Sequence, residues 1–233
     1  MSRPYTATGS QEKSRLGAIV IPVTPFEQNC TLLWDRETQE GVAVDPGGEI
    51  PKILDAAESH GIALRAIWLT HGHIDHAAGA PALAKAVGGI PILGPHPADE
   101  YWLQGLPQQA TYFGFPPTVA FTPDEWLDET QAVMAGEIPF QVIHLPGHTP
   151  GHLVFFQPEY RLALVGDVLF AGSIGRTDFP GGDHQALIQG IQHKLFPLGD
   201  DVLFIPGHGP QSTFGEERAN NPFVRMFTIP KHS

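Results

Sequence analysis

Residues 70–76 constrain this chain more than any other feature of its sequence. They read Thr-His-Gly-His-Ile-Asp-His, which places four residues of metal-ligating type within six positions. The apolar run 65–70 predicts a buried strand before this motif, and the Ala-rich stretch 77–87 predicts a helix after it, closed by Gly88-Gly89. The fold must therefore present three imidazoles and a carboxylate at a turn from a strand into a helix.

The spacing of these side chains favours two metal ions over one. Residues two apart on an extended chain face the same side, so His71 and His73 can hold one ion. The turn into the helix aims Asp75 and His76 at a second ion nearby, and Gly72 lets the backbone pass close to its neighbours. Burying ionisable groups without a cation would cost several kcal/mol each. We therefore predict a metal site here.

Three further candidate ligands stand at the ends of predicted strands. His148, Asp167 and His208 each follow an apolar run and a Gly or Pro-Gly break, which delivers each of them to a loop at a sheet edge. A lone histidine near a strand end is usually solvated or hydrogen-bonded for structural reasons. That structural interpretation is kept for His144, His152, His184 and His193.

Hydrophobic periodicity and turn residues predict the other elements. Strands are predicted over 17–23, 31–34, 41–45, 90–93, 138–145, 152–157, 161–165 and 201–205, and helices over 50–60, 98–103 and 185–195. Residues 111–125, rich in proline and aromatic side chains, predict an irregular excursion. Because strands alternate with helices in both halves, we predict an α/β fold with two central mixed sheets flanked by helices. A flexible tail is expected over 1–16 and a single domain over 17–233.

Composition excludes several classes of partner. The net charge is −12 and the 13 Lys and Arg residues form no basic cluster, so nucleic-acid binding is not expected. No apolar run approaches the roughly 20 residues that span a bilayer, and residues 1–15 lack the apolar core of a signal peptide. Cys30 is the single cysteine, which excludes an intrachain disulfide. We expect a cytoplasmic protein without a membrane partner.

The motifs together resemble the metallo-β-lactamase-fold hydrolases, and within them the glyoxalase II group. The resemblance runs from residue 17 to residue 223, and several motifs look like the compact bacterial YcbL-type branch. Beyond the candidate ligands, the motifs that carry it are Asp45-Pro46-Gly47, Gly147-His148-Thr149-Pro150-Gly151, Gly166-Asp167, Gly175-Arg176-Thr177-Asp178-Phe179, Trp102-Leu103-Gln104-Gly105-Leu106-Pro107 and Asn221-Pro222-Phe223.

The resemblance implies an αββα sandwich with a two-metal site at one edge. By matching position, His71, His73 and His148 would hold the first metal, Asp75, His76 and His208 the second, and Asp167 would bridge the two. Asp75 would also orient a metal-bridging hydroxide. Asp45 would orient the ligand loop. Arg176 matches a basic position that contacts glutathione in relatives; alternatively, it pairs with Asp178 or Asp183 and holds its loop.

The implied activity is hydrolysis of a thioester by that hydroxide, with S-lactoylglutathione or a related acyl-thiol as the small-molecule substrate. Two divalent ions are expected, zinc first, with iron or manganese as alternatives. The β-lactamases that use a cysteine ligand have no aspartate at the position of Asp167, so antibiotic hydrolysis is not expected. Only 25 residues follow His208, so the helical glutathione-binding domain of full-length glyoxalase II is expected to be missing.

Two other activities are compatible with this ligand set, and a third possibility, a non-catalytic module, is disfavoured by it. Persulfide dioxygenases of the same fold use a single iron and share the Gly-Arg-Thr-Asp-Phe stretch found at 175–179. Lactonases carry the same ligands. A non-catalytic metal-binding module would be expected to have lost ligands, whereas all seven positions are filled in this chain.

Overall fold

In the computed structural model, which describes residues 14–225, the chain forms four layers. Two β-sheets lie face to face in the middle, and helices cover the outer face of each sheet. Each sheet contains both parallel and antiparallel neighbours. The predicted α/β fold with two central mixed sheets flanked by helices is confirmed.

The first half of the chain builds a five-stranded sheet in the order β1-β2-β3-β4-β5. The strands are β1 (Leu16–Val23), β2 (Gln28–Asp35), β3 (Glu40–Val44), β4 (Ala63–Trp68) and β5 (Ile92–Leu93). The pairs β1–β2 and β2–β3 are antiparallel, whereas β3–β4 and β4–β5 are parallel. Parallel neighbours need crossovers, which are α1 (Ile50–Ser59) and then α2 (Ile74–Ala77) with α3 (Ala80–Ala86).

The second half builds a six-stranded sheet and a small hairpin. The strands are β6 (Ala132–Ala135), β7 (Ile138–His144), β8 (Leu153–Gln157), β9 (Leu162–Gly166), the hairpin strands β10 (Leu169–Phe170) and β11 (Ser173–Ile174), β12 (Leu203–Pro206) and β13 (Ser212–Thr213). The sheet order is β13-β12-β9-β8-β7-β6, and β9–β12 is its parallel pair.

The remaining helices are short. They are α4 (Glu100–Gln104), α5 (Leu106–Phe113), α6 (His184–Gly190), which continues as a π-helical turn over Ile191–Leu195, and α7 (Phe214–Asn220). Over residues 14–225, no helix combines the length and the apolar character needed to cross a bilayer.

Three apolar cores hold the four layers together, and strand alternation produces them. Successive residues of a strand point to opposite faces, so Leu33 of β2 packs between the sheets while Leu32 packs under the helices. In the second sheet, Phe155 lies between the sheets and Phe156 lies under α6. Because both faces of each sheet are covered, the strands are apolar along most of their length.

The predicted helix over 77–87 is instead two helices. The chain breaks at Gly79, where a Cβ would lie 2.2 Å from the Pro46 carbonyl oxygen. Pro81 then stands in the first turn of α3, where its missing N–H costs nothing. The irregular segment predicted over 111–125 begins inside α5. That helix ends at Phe113 and is capped by Gly114, which has a φ of 72°. Short strands β6, β10, β11 and β13 and helix α7 were not predicted.

Strand β1 begins one residue before the domain boundary predicted at residue 17. Leu16 starts β1 and is buried, and the Arg15 guanidinium binds the buried Asp35 carboxylate at 2.7 and 2.9 Å. The last residues of the tail predicted over 1–16 thus include an ion pair and the start of β1, and the division into a tail and a single domain stays a prediction. The rest of that prediction, over 1–13, lies outside the described residues.

Candidate metal centre

Four strands end at one edge of the sandwich, and each is followed within three residues by a candidate site residue. Asp45 follows β3, His71 follows β4, Asp167 follows β9 and His208 follows β12. His148 lies in the connection between β7 and β8 at the same edge. The structure therefore brings together residues that are far apart in the sequence.

His71, His73 and His148 form a first cluster, whose facing ring nitrogens lie within 4.8 Å of one another. The Nδ1 atom of His73 is 3.1 Å from Nε2 of His71 and 3.0 Å from Nε2 of His148. The outer nitrogens are held by the protein: Nδ1 of His71 donates to Thr70 Oγ1 at 2.9 Å, and Nδ1 of His148 donates to the Arg176 carbonyl at 2.8 Å. Both Nε2 lone pairs therefore point inward.

Asp75, His76 and His208 form a second cluster next to the first. Asp75 Oδ2 lies 3.1 Å from Nε2 of His208 and 3.7 Å from Nε2 of His76. The outer nitrogens are again held, since Nδ1 of His76 donates to Asp45 Oδ2 at 2.9 Å and Nδ1 of His208 donates to the Phe26 carbonyl at 3.1 Å. Both clusters thus expose unshared lone pairs to a common space.

Asp167 stands between the two clusters. Its Oδ1 is 3.4 Å from Nε2 of His76, and its Oδ2 is 3.6 Å from Nε2 of His148 and 3.7 Å from Nε2 of His208. The chain beside it has no room for a side chain, because a Cβ on Gly207 would lie 2.1 Å from Asp167 Oδ1. This position agrees with the bridging role that the sequence resemblance implies.

The chemistry of these side chains fits a pair of cations. Burial lowers the pKa of every histidine in the first cluster, which keeps them neutral and able to act as ligands. Burial also disfavours charge on His76, but the carboxylates of Asp167 and Asp75 outweigh it and raise its pKa. The second cluster therefore attracts positive charge. Nε2 of His76 and Oδ1 of Asp167 are buried without a hydrogen-bond partner, as expected of atoms that face an ion.

Asp45 holds the second cluster from behind. Its Oδ2 accepts from Thr70 Oγ1 at 2.6 Å as well as from His76, and its Oδ1 accepts from the Thr70 backbone N–H at 2.7 Å. Asp45 adopts a φ of 52°, in the left-handed region that few residues other than glycine occupy and that aspartate tolerates better than most. Its carboxylate is occupied by these hydrogen bonds, which supports the predicted orienting role and not a ligand role.

Asp99 is a site residue that the sequence analysis missed. This fully buried carboxylate accepts from the Gly72 backbone N–H at 2.9 Å, from Thr149 Oγ1 at 2.8 Å and from the Gly151 backbone N–H at 2.5 Å. Burial raises its pKa to about 6, against the effect of these donors. Asp99 therefore joins the loop that carries His71 and His73 to the loop that carries His148.

His152 makes a structural hydrogen bond beside the site, in agreement with the interpretation given to it. Its Nε2 accepts from the Asp167 backbone N–H at 3.0 Å, and its ring stacks on that of His71 at 4.7 Å. It therefore supports the site without belonging to either cluster. The other histidines given the structural interpretation form hydrogen bonds elsewhere. His144 bonds to the Pro150 carbonyl, His184 to Thr177 Oγ1, and His193 to the Gln189 carbonyl.

Arg176 lies on the loop that follows the β10–β11 hairpin, with its side chain two-thirds exposed. Its guanidinium binds both carboxylate oxygens of Asp178, at 2.8 and 3.0 Å, and lies 4.6 Å over the Phe179 ring. Asp183, the other partner considered for it, instead caps α6 by accepting from the Ala186 N–H. Arg176 thus has a structural ion pair and also borders the cleft described next.

The two clusters form the floor of a cleft of about 920 Å³, a size usual for a small-molecule site. His73, Asp75, His148, Asp167 and His208 reach its surface. Its walls are largely aromatic and aliphatic, and they are built by Phe26, Tyr101, Trp102, Tyr112, Phe113, Phe170, Ile174, Phe179 and Pro180. A molecule in this cleft would be in direct contact with both clusters.

Fold and site together define a metal-binding α/β protein whose ligands gather where two central sheets meet. Comparison with known proteins identifies the family, since the model of the metallo-β-lactamase superfamily matches residues 23–208. The chain belongs to this superfamily and is a metallo-hydrolase of that fold. The resemblance stated from the sequence is confirmed.

Individual relatives extend the comparison. Hydroxyacylglutathione hydrolase GloC of Haemophilus influenzae is 45% identical over 206 residues, covering 88% of this chain and 96% of the relative. A solved structure described as the B3 metallo-β-lactamase BLEG-1 superimposes with a TM-score of 0.82 at 34% identity, covering 89% of this chain and 99% of that one. TTHA1623 in a di-iron-bound form has a TM-score of 0.80 at 36% identity, covering 88% and 99%.

Proposed function

We propose that this metallo-hydrolase cleaves a thioester of the hydroxyacylglutathione type, S-lactoylglutathione or a related acyl-thiol. One observation carries the proposal: Asp167 places a carboxylate oxygen within 3.4 to 3.7 Å of imidazole nitrogens from both clusters at the floor of the cleft. This arrangement suits two cations side by side beneath a small-molecule substrate. The relative from Haemophilus influenzae, named a hydroxyacylglutathione hydrolase, supports the substrate class.

The residues proposed as ligands are the first cluster, the second cluster and the bridging Asp167. We expect zinc, with iron or manganese as alternatives, and the related di-iron form of TTHA1623 keeps iron among the candidates. When bound, two such ions would supply a water molecule of lowered pKa and positive charge beside the carbonyl oxygen. The expected cytoplasmic location stays a prediction.

The chain's own residues then have distinct tasks. Asp75, next to His208 in the second cluster, is proposed to accept a hydrogen bond from the attacking water and orient it toward the acyl carbon. The water gives up one proton to the solvent, its oxygen forms the new bond to that carbon, the carbon–sulfur bond breaks, and the thiolate leaves with the electron pair of that bond. A thiolate is a good leaving group, so the reaction needs no dedicated proton donor. Arg176 is proposed to bind a substrate carboxylate.

The test combines metal content with activity. Protein purified without added metal is analysed for bound ions, and thiol release from S-lactoylglutathione is then measured. Two ions per chain with turnover would support the proposal, with a chromogenic cephalosporin expected to remain intact. If fully loaded protein released no thiol above background from several acyl-thiols, the proposal would be wrong. One bound iron per chain, together with oxygen uptake when glutathione persulfide is added, would support a persulfide dioxygenase. Hydrolysis of lactones but not of thioesters would support a lactonase.

A further inference from the structure

The cleft above the two clusters has two chemically different ends. At the end beside the first cluster, the Phe179 ring lies 4.8 Å from His73 and 5.7 Å from His148, and Arg176 covers the same ring. Arg176 is the single lysine or arginine among the described residues that line the cleft. A carboxylate on the substrate could bind here by sharing or replacing the ion pair that Arg176 makes with Asp178, and we call this part of the cleft the cationic end.

The opposite end, beside the second cluster, is built from Phe26, Phe113 and Phe170, which we call the aromatic end. The Phe26 carbonyl accepts from His208, and the Phe170 ring lies 6.3 Å from the His208 ring. Phe26 meets Phe113 edge to face at 5.8 Å, which holds the two rings in a fixed arrangement. No charged side chain is part of this trio, so it is suited to an apolar group.

The rings of the aromatic end remain partly open to solvent. Phe26 is 43% exposed and Phe113 is 39% exposed, while Phe170 is half-buried. Four of the seven exposed large hydrophobic side chains in residues 14–225 line this one cleft. Exposed apolar side chains are usually scattered, and their concentration at a site marks a surface that a ligand covers.

These two ends fix the direction in which a thioester would lie. Its carbonyl must sit over the clusters, so its thiol arm and its acyl arm extend to opposite ends of the cleft. A peptide-like thiol such as glutathione carries carboxylates, and Arg176 is the lysine or arginine that the described lining of the cleft offers to pair with them. The acyl arm is then directed toward the aromatic end. The methyl group of a lactoyl substrate is too small to cover three phenyl rings.

We infer that the acyl group this chain prefers is aromatic or extended and apolar, and that Phe113 and Phe170 determine this specificity. The inference rests on the proposed thioester hydrolysis and deepens it. It names a substrate class, thioesters whose acyl arm carries a phenyl ring or a comparable hydrocarbon group. Burying that group against the aromatic end lowers the free energy of the bound state in proportion to the apolar area covered.

The test uses two substrates that differ in one substituent. S-mandeloylglutathione and S-lactoylglutathione share the thiol and the α-hydroxyl group, and they differ by a phenyl ring in place of a methyl group. The KM for the mandeloyl substrate is expected to be about tenfold lower, with kcat changed little. Phe113→Ala and Phe170→Ala should each reduce this preference about threefold or more. Met134→Ala is the control, because Met134 is 48% exposed on β6 and does not line the cleft.

A binding measurement separates this inference from the proposed function. S-benzylglutathione and S-methylglutathione are thioethers that cannot be hydrolysed, and calorimetry gives their dissociation constants for the wild type and Phe113→Ala. If the wild type binds S-benzylglutathione more tightly than S-methylglutathione and Phe113→Ala does not, the inference that the aromatic end binds an apolar group is supported. This result would hold even if no thioester were hydrolysed. Equal KM values with equal dissociation constants would overturn the inference and leave the proposed function standing. A preference that survives both phenylalanine substitutions would overturn it as well.

Discussion

The Oδ1 atom of Asp167 lies 3.4 Å from Nε2 of His76, and neither buried atom has a hydrogen-bond partner. An unpaired polar atom in a protein interior costs about 1–3 kcal/mol, so two facing each other require compensation. The other oxygen of Asp167 faces Nε2 atoms of both clusters, from His148 and His208. A cation on each side of this carboxylate would satisfy all of these atoms together.

Asp167→Ala is therefore expected to lower the content of both metal ions and to abolish turnover. His208→Ala should deplete mainly the ion of the second cluster, because His208 groups with Asp75 and His76. Metal analysis of the purified variants, with circular dichroism to check folding, measures both effects. Two ions per chain and a near-normal rate in Asp167→Ala would contradict the bridging assignment.

Asp99→Asn tests the link between the two loops of the first cluster. An asparagine replaces one acceptor oxygen with an N–H₂ group that must face backbone N–H donors from Gly72 or Gly151. Metal affinity at the first cluster should fall about tenfold to a hundredfold, as for other residues that position ligands. Competition with a chromophoric chelator measures it. Asp128→Asn is the control, since Asp128 caps an exposed turn at Thr130. Equal affinities in the two variants would remove Asp99 from this role.

Arg176→Ala distinguishes a substrate contact from a loop contact. If Arg176 binds a substrate carboxylate far from the scissile bond, KM should rise about tenfold, or about 1.4 kcal/mol, with kcat changed little. Asp178→Asn weakens the competing ion pair and should then lower KM. An unchanged KM together with a lower melting temperature in Arg176→Ala would instead show that the side chain holds the loop.

The ion pair of Arg15 with Asp35 predicts a pH-dependent stability. The hydrogen bonds from Arg15 lower the pKa of the Asp35 carboxyl well below its ordinary value of 3.8, so the pair stabilises the folded chain above that pH. Arg15→Gln should lower the melting temperature at pH 7. The difference in melting temperature between this variant and the wild type should shrink as the pH falls through the ordinary pKa of an aspartate toward the lowered pKa of Asp35.

Melting curves of both proteins between pH 7 and pH 3 measure this difference. Arg65→Gln is the matched control, because the pair of Arg65 with Glu40 is largely exposed and should contribute little. A difference between Arg15→Gln and wild type that stayed constant across this range would rule out the titration of Asp35 as its source.

The candidate ligands could be picked out from the sequence because each one interrupts a local pattern. His71 and His73 stand where an apolar strand ends, and Asp167 follows the Gly166 that closes β9. Asp99 gives no such signal, since the groups it joins lie 27 and 52 positions away, at Gly72 and Gly151. A role defined only by distant partners becomes visible once the chain is folded.

Boundaries and charge pairings were predicted less well, for similar reasons. The break between α2 and α3 depends on the close approach of Gly79 to Pro46, which belongs to the preceding crossover. The partner of Arg176 was left open between Asp178 and Asp183, and the capping of α6 by Asp183 resolves it. In both cases packing between separate segments decides between outcomes that the local sequence permits equally.

The ligands of the candidate site come from both halves of the chain, from the β4 loop of the first sheet and the β9 and β12 loops of the second. The backbone N–H of Asn29 in β2 also donates to the Gly207 carbonyl at 2.7 Å, which ties the two sheets at this edge. Any cation held here is a cross-link between halves that are synthesised at different times. The complete set of candidate ligands would therefore form only after the second sheet has docked, and loss of bound cations would be expected to loosen the contact between the two sheets at this edge.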